Sequence, residues 1–362
     1  MKILHIHPSM AGGGIEAMIC GLVNEMAKYH DVTLCTIYKP KKEDVFENKL
    51  SKSVRRATLG KDKSGFSIRE VFEIYRFIRY GHFDVVHIHG FFYYYALAVL
   101  LLHKRVKFVY TIHSDAAKEN SVWDKRIIKL KRYAFRKGYV RPVTISKESK
   151  RSFENFYKLD STIIYNGIPE YAFNTRINKL DKYRITGKTV LFFHPGRISE
   201  PKNQIVLVKV FNRLIQEGHD VVLLIAGQKK DLQIWAKIEP YLCKRIVYLG
   251  ERNDVRDLLS EADAFCLPSI WEGMPVTLLE AISVGCIPIC SSVGGIPEVV
   301  TNEYNGFLSK DASEAAYYEA LKNFIVCPNV EINQMKCNCR ESFKKYKISE
   351  VAKKYIELYM NV

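Results

Sequence analysis

Residues 264–289, AFCLPSIWEGMPVTLLEAISVGCIPI, read as a strand, a loop, a helix and a second strand. Ala264 to Leu267 and Ile287 to Ile289 are short apolar runs, and Val276 to Val284 has helical spacing. Glu272 and Gly273 lie in the loop, Pro275 suits the first helical position, and Glu280 follows about one turn later. At a helix start the amides of Val276 and Thr277 have no intrahelical acceptor, so they can take phosphate oxygens. Two carboxylates, eight residues apart in sequence, flank that anion seat and call for hydroxyl partners. A sugar nucleotide supplies these, hexose hydroxyls on one side and ribose hydroxyls on the other. The apolar neighbours Leu278, Leu279 and Ala281 argue that Glu280 is no plain surface residue.

The same alternation extends in both directions. Upstream in the second half, strands are expected at Val190–Phe193, Val221–Ile225 and Ile246–Leu249, with helices at about Gln204–Gln216, Leu232–Tyr241 and Val255–Ser260. In the first half, strands are expected at Ile3–Ile6, Val32–Ile37, Val85–Ile88, Val106–Ile112, Val140–Ile145 and Thr162–Ile164. Helices fall at Ile15–Lys28, Ile68–Tyr80, after Gly90, and from about Val122 to Lys137. Short strands separated by helices indicate parallel β-α-β units, hence an α/β chain with two doubly wound sheets. Residues 1–170 form the first domain, 171–187 a linker and 188–345 the second domain. A last helix within 346–362 is expected to pack back on the first domain. Ligands of doubly wound sheets bind beyond the carboxyl ends of the strands, so a central cleft faced by both domains is the expected site.

Two further segments carry chemistry. In HPGRISEPKNQ, residues 194–204, Arg197 and Lys202 stand at a strand-to-helix turn and can converge on one diphosphate, Arg bidentately and Lys as a point charge. In PSMAGGGIEAM, residues 8–18, glycines open a helix and permit close backbone approach to an anion. Gly12, Gly14 and Ala17 also satisfy a dinucleotide fingerprint. That reading wants a carboxylate at the end of the second strand, and the chain there reads Ile37, Tyr38, Lys39. His5, His7, His87 and His89 sit on strand segments without a carboxylate or thiol at ligand spacing, so contacts to substrate suit them better than a metal. His89 and His113 are the better candidates, and His194 reads as structural.

EGMPVTLLEA resembles the E-x(7)-E motif of family-4 retaining glycosyltransferases, and GRISEPKN resembles their diphosphate-binding segment. GGGIEAM is similar to their N-terminal glycine loop, and TIHS, YNGI and SSVGGIPEVV match in the family order over roughly residues 3–308. The resemblance implies a GT-B fold of two Rossmann-like domains and retention of anomeric configuration. It implies that Arg197 and Lys202 neutralise the donor diphosphate and that Glu280 holds the ribose. Glu272 would bind the transferred sugar near its 3-hydroxyl and reacting carbon, with His113 beside that sugar. Gly273, Met274, Pro275, Val276 and Thr277 would contact sugar and phosphate through their backbone. Gly13 and Gly14 would approach the phosphates or the acceptor, and Glu16 and His89 the acceptor. Glu298 and the Leu249–Arg252 segment would lie near sugar or base.

Many such transferases use a divalent metal held by an Asp-x-Asp pair, and no D-x-D sequence occurs here. Preorganised cations and helix amides can stabilise the leaving phosphate instead. Transfer without metal or other cofactor is therefore expected, with a nucleotide-sugar donor, a UDP-sugar ahead of GDP-mannose. An epimerase of similar architecture, an oxidoreductase and a non-catalytic nucleotide-binding module are the alternatives.

The whole-chain composition narrows the setting. The formal net charge is +16, which favours anionic partners. Between Lys118 and Lys158 thirteen Lys or Arg face four Asp or Glu, interleaved with Tyr133, Phe135, Tyr139, Phe153, Phe156 and Tyr157. No nucleic-acid motif accompanies this charge, whereas anionic lipid headgroups attract such segments. The apolar run Phe91–Leu102 is too short for a spanning helix, which needs about 20 residues, and reads as a buried helix. The start, MKILHIHPSM, lacks the long apolar core of a secretion signal. The nine cysteines fall mostly in apolar segments, and Cys337-x-Cys339 has no second pair, so a reducing cytoplasm fits. The expected setting is the inner face of the plasma membrane, with a lipid-linked saccharide acceptor and other polysaccharide-assembly enzymes as partners.

Overall fold

The computed structural model describes all residues except 42–43, 63–64, 66, 91, 121–124, 171–177 and 362. Phe91, the start of the helix expected from about residue 122, and the first part of the expected linker, 171–177, lie outside the described residues. The chain divides into two compact units, Met1–Pro169 with Tyr346–Val362, and Glu170–Lys345.

The first unit holds seven strands: β1 Lys2–His7, β2 Asp31–Tyr38, β3 Arg55–Lys61, β4 Val85–Ile88, β5 Lys107–Ile112, β6 Arg141–Thr144 and β7 Thr162–Ile163. They pair in parallel in the order β3-β2-β1-β4-β5-β6-β7. β3 was not expected. Its sequence RRATLGK alternates exposed and half-buried residues, and charged residues of this kind suit an edge strand. The apolar run after Gly90 becomes a 3₁₀ turn, Phe92–Tyr94, and a helix, Ala96–Leu102. Tyr94, Tyr95, Ala98 and Val99 are fully buried there, while Leu101 is exposed. The basic segment forms helices Ala116–Asn120, Lys125–Arg136 and Lys147–Tyr157. The last of these, not expected, opens with a capping box between Ser146 and Ser149.

The helix Ile348–Asn361 belongs to this unit. The backbone amide of Ile348 donates to the Ile168 carbonyl at 2.9 Å, and that of Ile168 donates to the Tyr346 carbonyl at 3.1 Å. The absence of a side chain at Gly167 makes room for this, since a Cβ there would stand 2.6 Å from Val351 Cγ2. From the helix, the Tyr359 hydroxyl reaches His87 Nδ1 at 2.6 Å, and the Tyr355 hydroxyl reaches Thr111 Oγ1 at 3.2 Å.

The second unit holds six strands: β8 Val190–Pro195, β9 Val221–Ala226, β10 Ile246–Tyr248, β11 Ala264–Leu267, β12 Ile287–Ser291 and β13 Phe307–Ser309. Their order is β10-β9-β8-β11-β12-β13, all in parallel pairs. Two helices, Glu314–Val326 and Asn329–Phe343, complete it. Cys337 and Cys339 lie on the latter, one exposed and one buried, so they do not converge. Residues 178–187, expected as linker, are instead packed on this unit. Leu180 is buried, Lys179 Nζ reaches Asp254 and Asp257 at 2.6 and 2.9 Å, and Arg184 pairs with Asp263 at 2.9 Å.

In both sheets the strand order reverses at the centre, between β1 and β4 and between β8 and β11. In the first unit this register makes His5 and His87 direct neighbours, with His89 just beyond β4. All three are buried. Burial keeps their rings neutral: it lowers the pKa of His5 to about 3 and those of His87 and His89 well below the usual value. In the unfolded chain they titrate near 6.5. Below that pH the unfolded state binds more protons, so this stability is present above about pH 6.5 and is lost as the pH falls. Each histidine then contributes a loss of up to about 1.4 kcal/mol per pH unit. The urea midpoint should fall between pH 7 and pH 5; equal midpoints at both would show that these imidazoles are not held neutral.

Candidate functional site

In the second unit, the loops after β8 and β11 lie side by side because the two strands pair, with Ala264 beside Phe192. The β8 loop is held from inside. His194 is buried, with Nδ1 2.8 Å from the Cys266 carbonyl and Nε2 3.1 Å from Gln204 Nε2. Burial lowers its pKa to about 4, which keeps it neutral. Gln204 also donates to the Arg197 carbonyl at 2.9 Å. The loop passes close to Gly227, where a Cβ would stand 2.1 Å from the Gly196 carbonyl oxygen. At Asn203 the backbone is left-handed, with φ 56°, and its side-chain amide donates to the carbonyls of Pro268 and Ala312.

Out of this frame come two cations. The Arg197 side chain is exposed and forms no ion pair among the described residues. Lys202 Nζ pairs with Glu272 Oε1 at 2.6 Å, and Ser269 Oγ donates to the same oxygen at 2.7 Å. The second carboxylate also has a cation, since Arg256 Nε stands 3.3 Å from Glu280 Oε1. The expectation that both carboxylates require substrate hydroxyls for balance is thereby corrected. Lys202 and Arg256 balance them within the fold. Arg256, on the helix Val255–Glu261, and Ser269 were missed, because neither stands out in a linear reading.

The helix spans Val276–Val284 as expected, with Pro275 as its cap residue rather than its first helical residue, and no side-chain cap. Its first amides, those of Val276 and Thr277, lie by position outside the helical ladder. Met274, Pro275 and Val276 are buried and Thr277 is half-buried. The segment SSVGGIPEVV braces the loop. The Gly295 amide donates to the Gly273 carbonyl at 2.7 Å, and Gly294, at φ 57°, lies so close that a Cβ would stand 1.9 Å from the Glu272 carbonyl oxygen. Glycine is required there by both backbone conformation and space. Arg252 is forked by Asp254 at 2.8 and 2.7 Å, and hydrogen bonding to Arg252 first of all lowers the Asp254 pKa to about 2. Glu298 closes a 3₁₀ turn, Ile296–Glu298.

In the first unit the glycine loop follows β1 and opens the helix Gly14–Met26. The Glu16 carboxylate lies over it, so close that a Cβ on Gly13 would meet Oε2 at 2.5 Å. This acid of the first turn stands by the helix start, where negative charge is favoured. Glu16 Oε1 is 3.6 Å from His7 Nε2, and His7 Nδ1 is 3.0 Å from the His89 carbonyl. His89 Nε2 is 3.0 Å from His5 Nδ1, and its Nδ1 is 3.1 Å from His113 Nε2. Both ring nitrogens of His89 are therefore engaged within the protein. His113 Nδ1 is buried without a hydrogen-bond partner among the described residues.

His5, His87 and His89 also bring potential ligand atoms within 4.8 Å of one another. Both nitrogens of His87 are engaged, by the Tyr359 and Thr111 hydroxyls at 2.6 and 2.7 Å. A cation bound by all three rings would displace at least one of these bonds.

The comparisons with known proteins give the family and the fold. Residues 12–170 match the family model described as Glycosyltransferase Family 4, and residues 175–347 match Glycosyl transferases group 1. Over 320 residues, 81% of this chain and 80% of the relative, the chain is 27% identical to the UDP-Gal:alpha-D-GlcNAc-diphosphoundecaprenol alpha-1,3-galactosyltransferase of Escherichia coli. It is 29% identical over 139 residues, 38% of this chain and 37% of the relative, to the N,N'-diacetylbacillosaminyl-diphospho-undecaprenol alpha-1,3-N-acetylgalactosaminyltransferase of Campylobacter jejuni. Among solved structures, the Anabaena protein HepE in complex with UDP superposes with a TM-score of 0.77 at 16% identity, covering 100% of both chains. A Rickettsia africae glycosyltransferase gives 0.77 at 17% identity, over 99% of this chain and 98% of that one. The chain is a glycosyltransferase of family 4, with the GT-B fold.

Proposed function

We propose that this glycosyltransferase moves a hexose from a nucleotide diphosphate sugar, a UDP-sugar in first place, to a hydroxyl of a lipid-linked saccharide, with retention and without a metal. The observation that carries the reading is the pairing of Lys202 with Glu272 at 2.6 Å, next to the unpaired Arg197 and the helix start at Val276. A diphosphate bound there would meet two cations and a row of amides, while Glu272 would turn one oxygen toward a sugar hydroxyl. Glu280, steadied by Arg256, would take the ribose, and the backbone from Gly273 to Thr277 the sugar and phosphate. Arg252, already held by Asp254, would contribute a hydrogen bond near the base rather than net charge. In the first unit His113 would contact the transferred sugar, and Gly13, Gly14 and Glu16 the phosphate or acceptor.

In the proposed reaction the acceptor oxygen attacks the anomeric carbon on the face from which the diphosphate departs. The bond from that carbon to the phosphate oxygen breaks, and the acceptor proton passes to the departing phosphate. Charge builds on that phosphate in the transition state, where preorganised Arg197, Lys202 and helix amides are most effective. The undecaprenol-diphosphate substrates in the names of the Escherichia coli and Campylobacter jejuni relatives support the acceptor class. They also support work at a membrane surface. No helix among the described residues is long and apolar enough to cross a membrane. The exposed basic residues of the helix Lys125–Arg136, with exposed Tyr133 and Leu101, suit attachment to anionic headgroups.

A thermal-shift panel of UDP, GDP and their hexoses tests the donor. A UDP compound should raise the melting temperature, and Lys202→Ala should abolish that rise and lower turnover by about 10²- to 10³-fold; a shift with neither base would reject the donor site. Turnover should persist in excess EDTA, and a loss restored by Mg²⁺ would reject metal independence. In vesicle flotation the chain should bind anionic and not neutral liposomes; equal binding to both would remove the electrostatic attachment.

A further inference from the structure

The three imidazoles of His5, His89 and His113 form one hydrogen-bonded row, with N···N distances of 3.0 and 3.1 Å. A neutral ring carries a single N–H, so each link in such a row has one donor and one acceptor. The tautomers of the three rings are therefore tied together. Either every proton sits on Nδ1, with His5 donating to His89 and His89 to His113, or every proton sits on Nε2 and all donate the other way. Burial keeps all three rings neutral by lowering their pKa values.

The two ends of the row decide between these states. His5 Nε2 and His113 Nδ1 are both buried atoms without a hydrogen-bond partner among the described residues. One of them must carry the spare proton and the other a bare lone pair. An orphaned N–H in a closed interior is rarer and costlier than an orphaned acceptor. His5 is 0% exposed, deep between β2 and β4, where no ligand can reach. His113 stands just past the end of β5 and is half-buried, where an N–H can find a partner from a ligand. The proton-on-Nδ1 state puts the bare lone pair at His5 and the N–H at His113.

We infer that His113 presents a neutral N–H, from Nδ1, to an oxygen of the transferred hexose, and that His5 and His89 are positioning residues that fix this tautomer. The inference rests on the proposed contact between His113 and the donor sugar and gives that contact its polarity. His113 then acts as a hydrogen-bond donor and cannot serve as a base through Nδ1. The row also explains why His89, both of whose nitrogens are engaged, sits where a substrate contact was expected.

The test combines a spectroscopic reading of the whole chain with kinetics. In ¹⁵N-histidine-labelled protein, His5, His89 and His113 should all appear as Nδ1–H tautomers, and an Nε2–H form of His113 would overturn the relay. His5→Leu, which removes the donor to His89, should give His113 mixed tautomers and lower kcat about tenfold with the donor KM unchanged, the worth of roughly one hydrogen bond. His5→Asn, whose side-chain amide can still donate to His89, should restore both. Full kcat in His5→Leu would overturn the relay, and should that variant not fold, the wild-type tautomers decide alone. The underlying contact is tested separately: His113→Ala turning over at the wild-type rate would remove His113 from the sugar, whatever its tautomer.

Discussion

Parallel pairing at a strand-order reversal is the constraint on which the rest of this molecule depends. Where β8 lies between β9 and β11, the connections from β8 and β11 leave on opposite faces of the sheet, yet their loops begin next to each other. This places Lys202 within 2.6 Å of Glu272 although the two are 70 residues apart in the chain. The first unit repeats the device at β1 and β4. His7 ends one strand and the glycine loop follows it, His89 follows the other, and the His7 ring meets the His89 carbonyl at 3.0 Å. The glycine loop, His89, His113 and the loops carrying Arg197, Lys202 and Glu272 all lie just beyond strand ends.

A loop at such a position has to be rigid to hold charge in place, and the second unit shows how that is done. The loop after β11 is pressed by Gly294 and tied by Gly295. The loop after β8 is fastened from below by His194, Gln204 and Asn203. These side chains are buried or half-buried and mostly uncharged, so they add stiffness without competing for an anion. The charges themselves are paired in advance, Lys202 with Glu272 and Arg256 with Glu280. A free cation beside a free carboxylate would drift toward whichever partner came first. Paired, each holds one orientation and keeps lone pairs or N–H groups for a substrate.

The elements that were legible in the sequence are those whose pattern is local. Central strands such as β9 and β11 are buried throughout, and β8 in all but its first residue, and they read as apolar runs. Edge strand β3 has only one neighbour, and its sequence RRATLGK carries a short apolar alternation, Ala57 and Leu59, among charged residues. The short edge strand β13 and the two helices after it, Glu314–Val326 and Asn329–Phe343, were not expected. In the site, Glu272, Glu280, Arg197 and Lys202 were legible because short motifs surround them. Arg256 was not, because its meaning lies in a contact across 24 residues with Glu280. His89 was visible but its partners were not: a row of imidazoles drawn from three different segments exists only once β1, β4 and β5 lie side by side.

Histidine at those three positions has a physical consequence that another polar residue would lack. A buried amide or carboxylate must satisfy several groups at once, and an ionised one pays heavily for leaving water. A neutral imidazole has one donor and one acceptor on opposite sides of a flat ring. Rings of this kind can be chained through a sheet's edge without net charge, each link satisfying the next. Such a chain leaves one unsatisfied atom at each end. Packing closes the inner end at His5, and the outer end at His113 is where a ligand can complete it. The unpartnered Nδ1 of His113, just past the end of β5, is the atom at which the proposed row would meet the donor sugar.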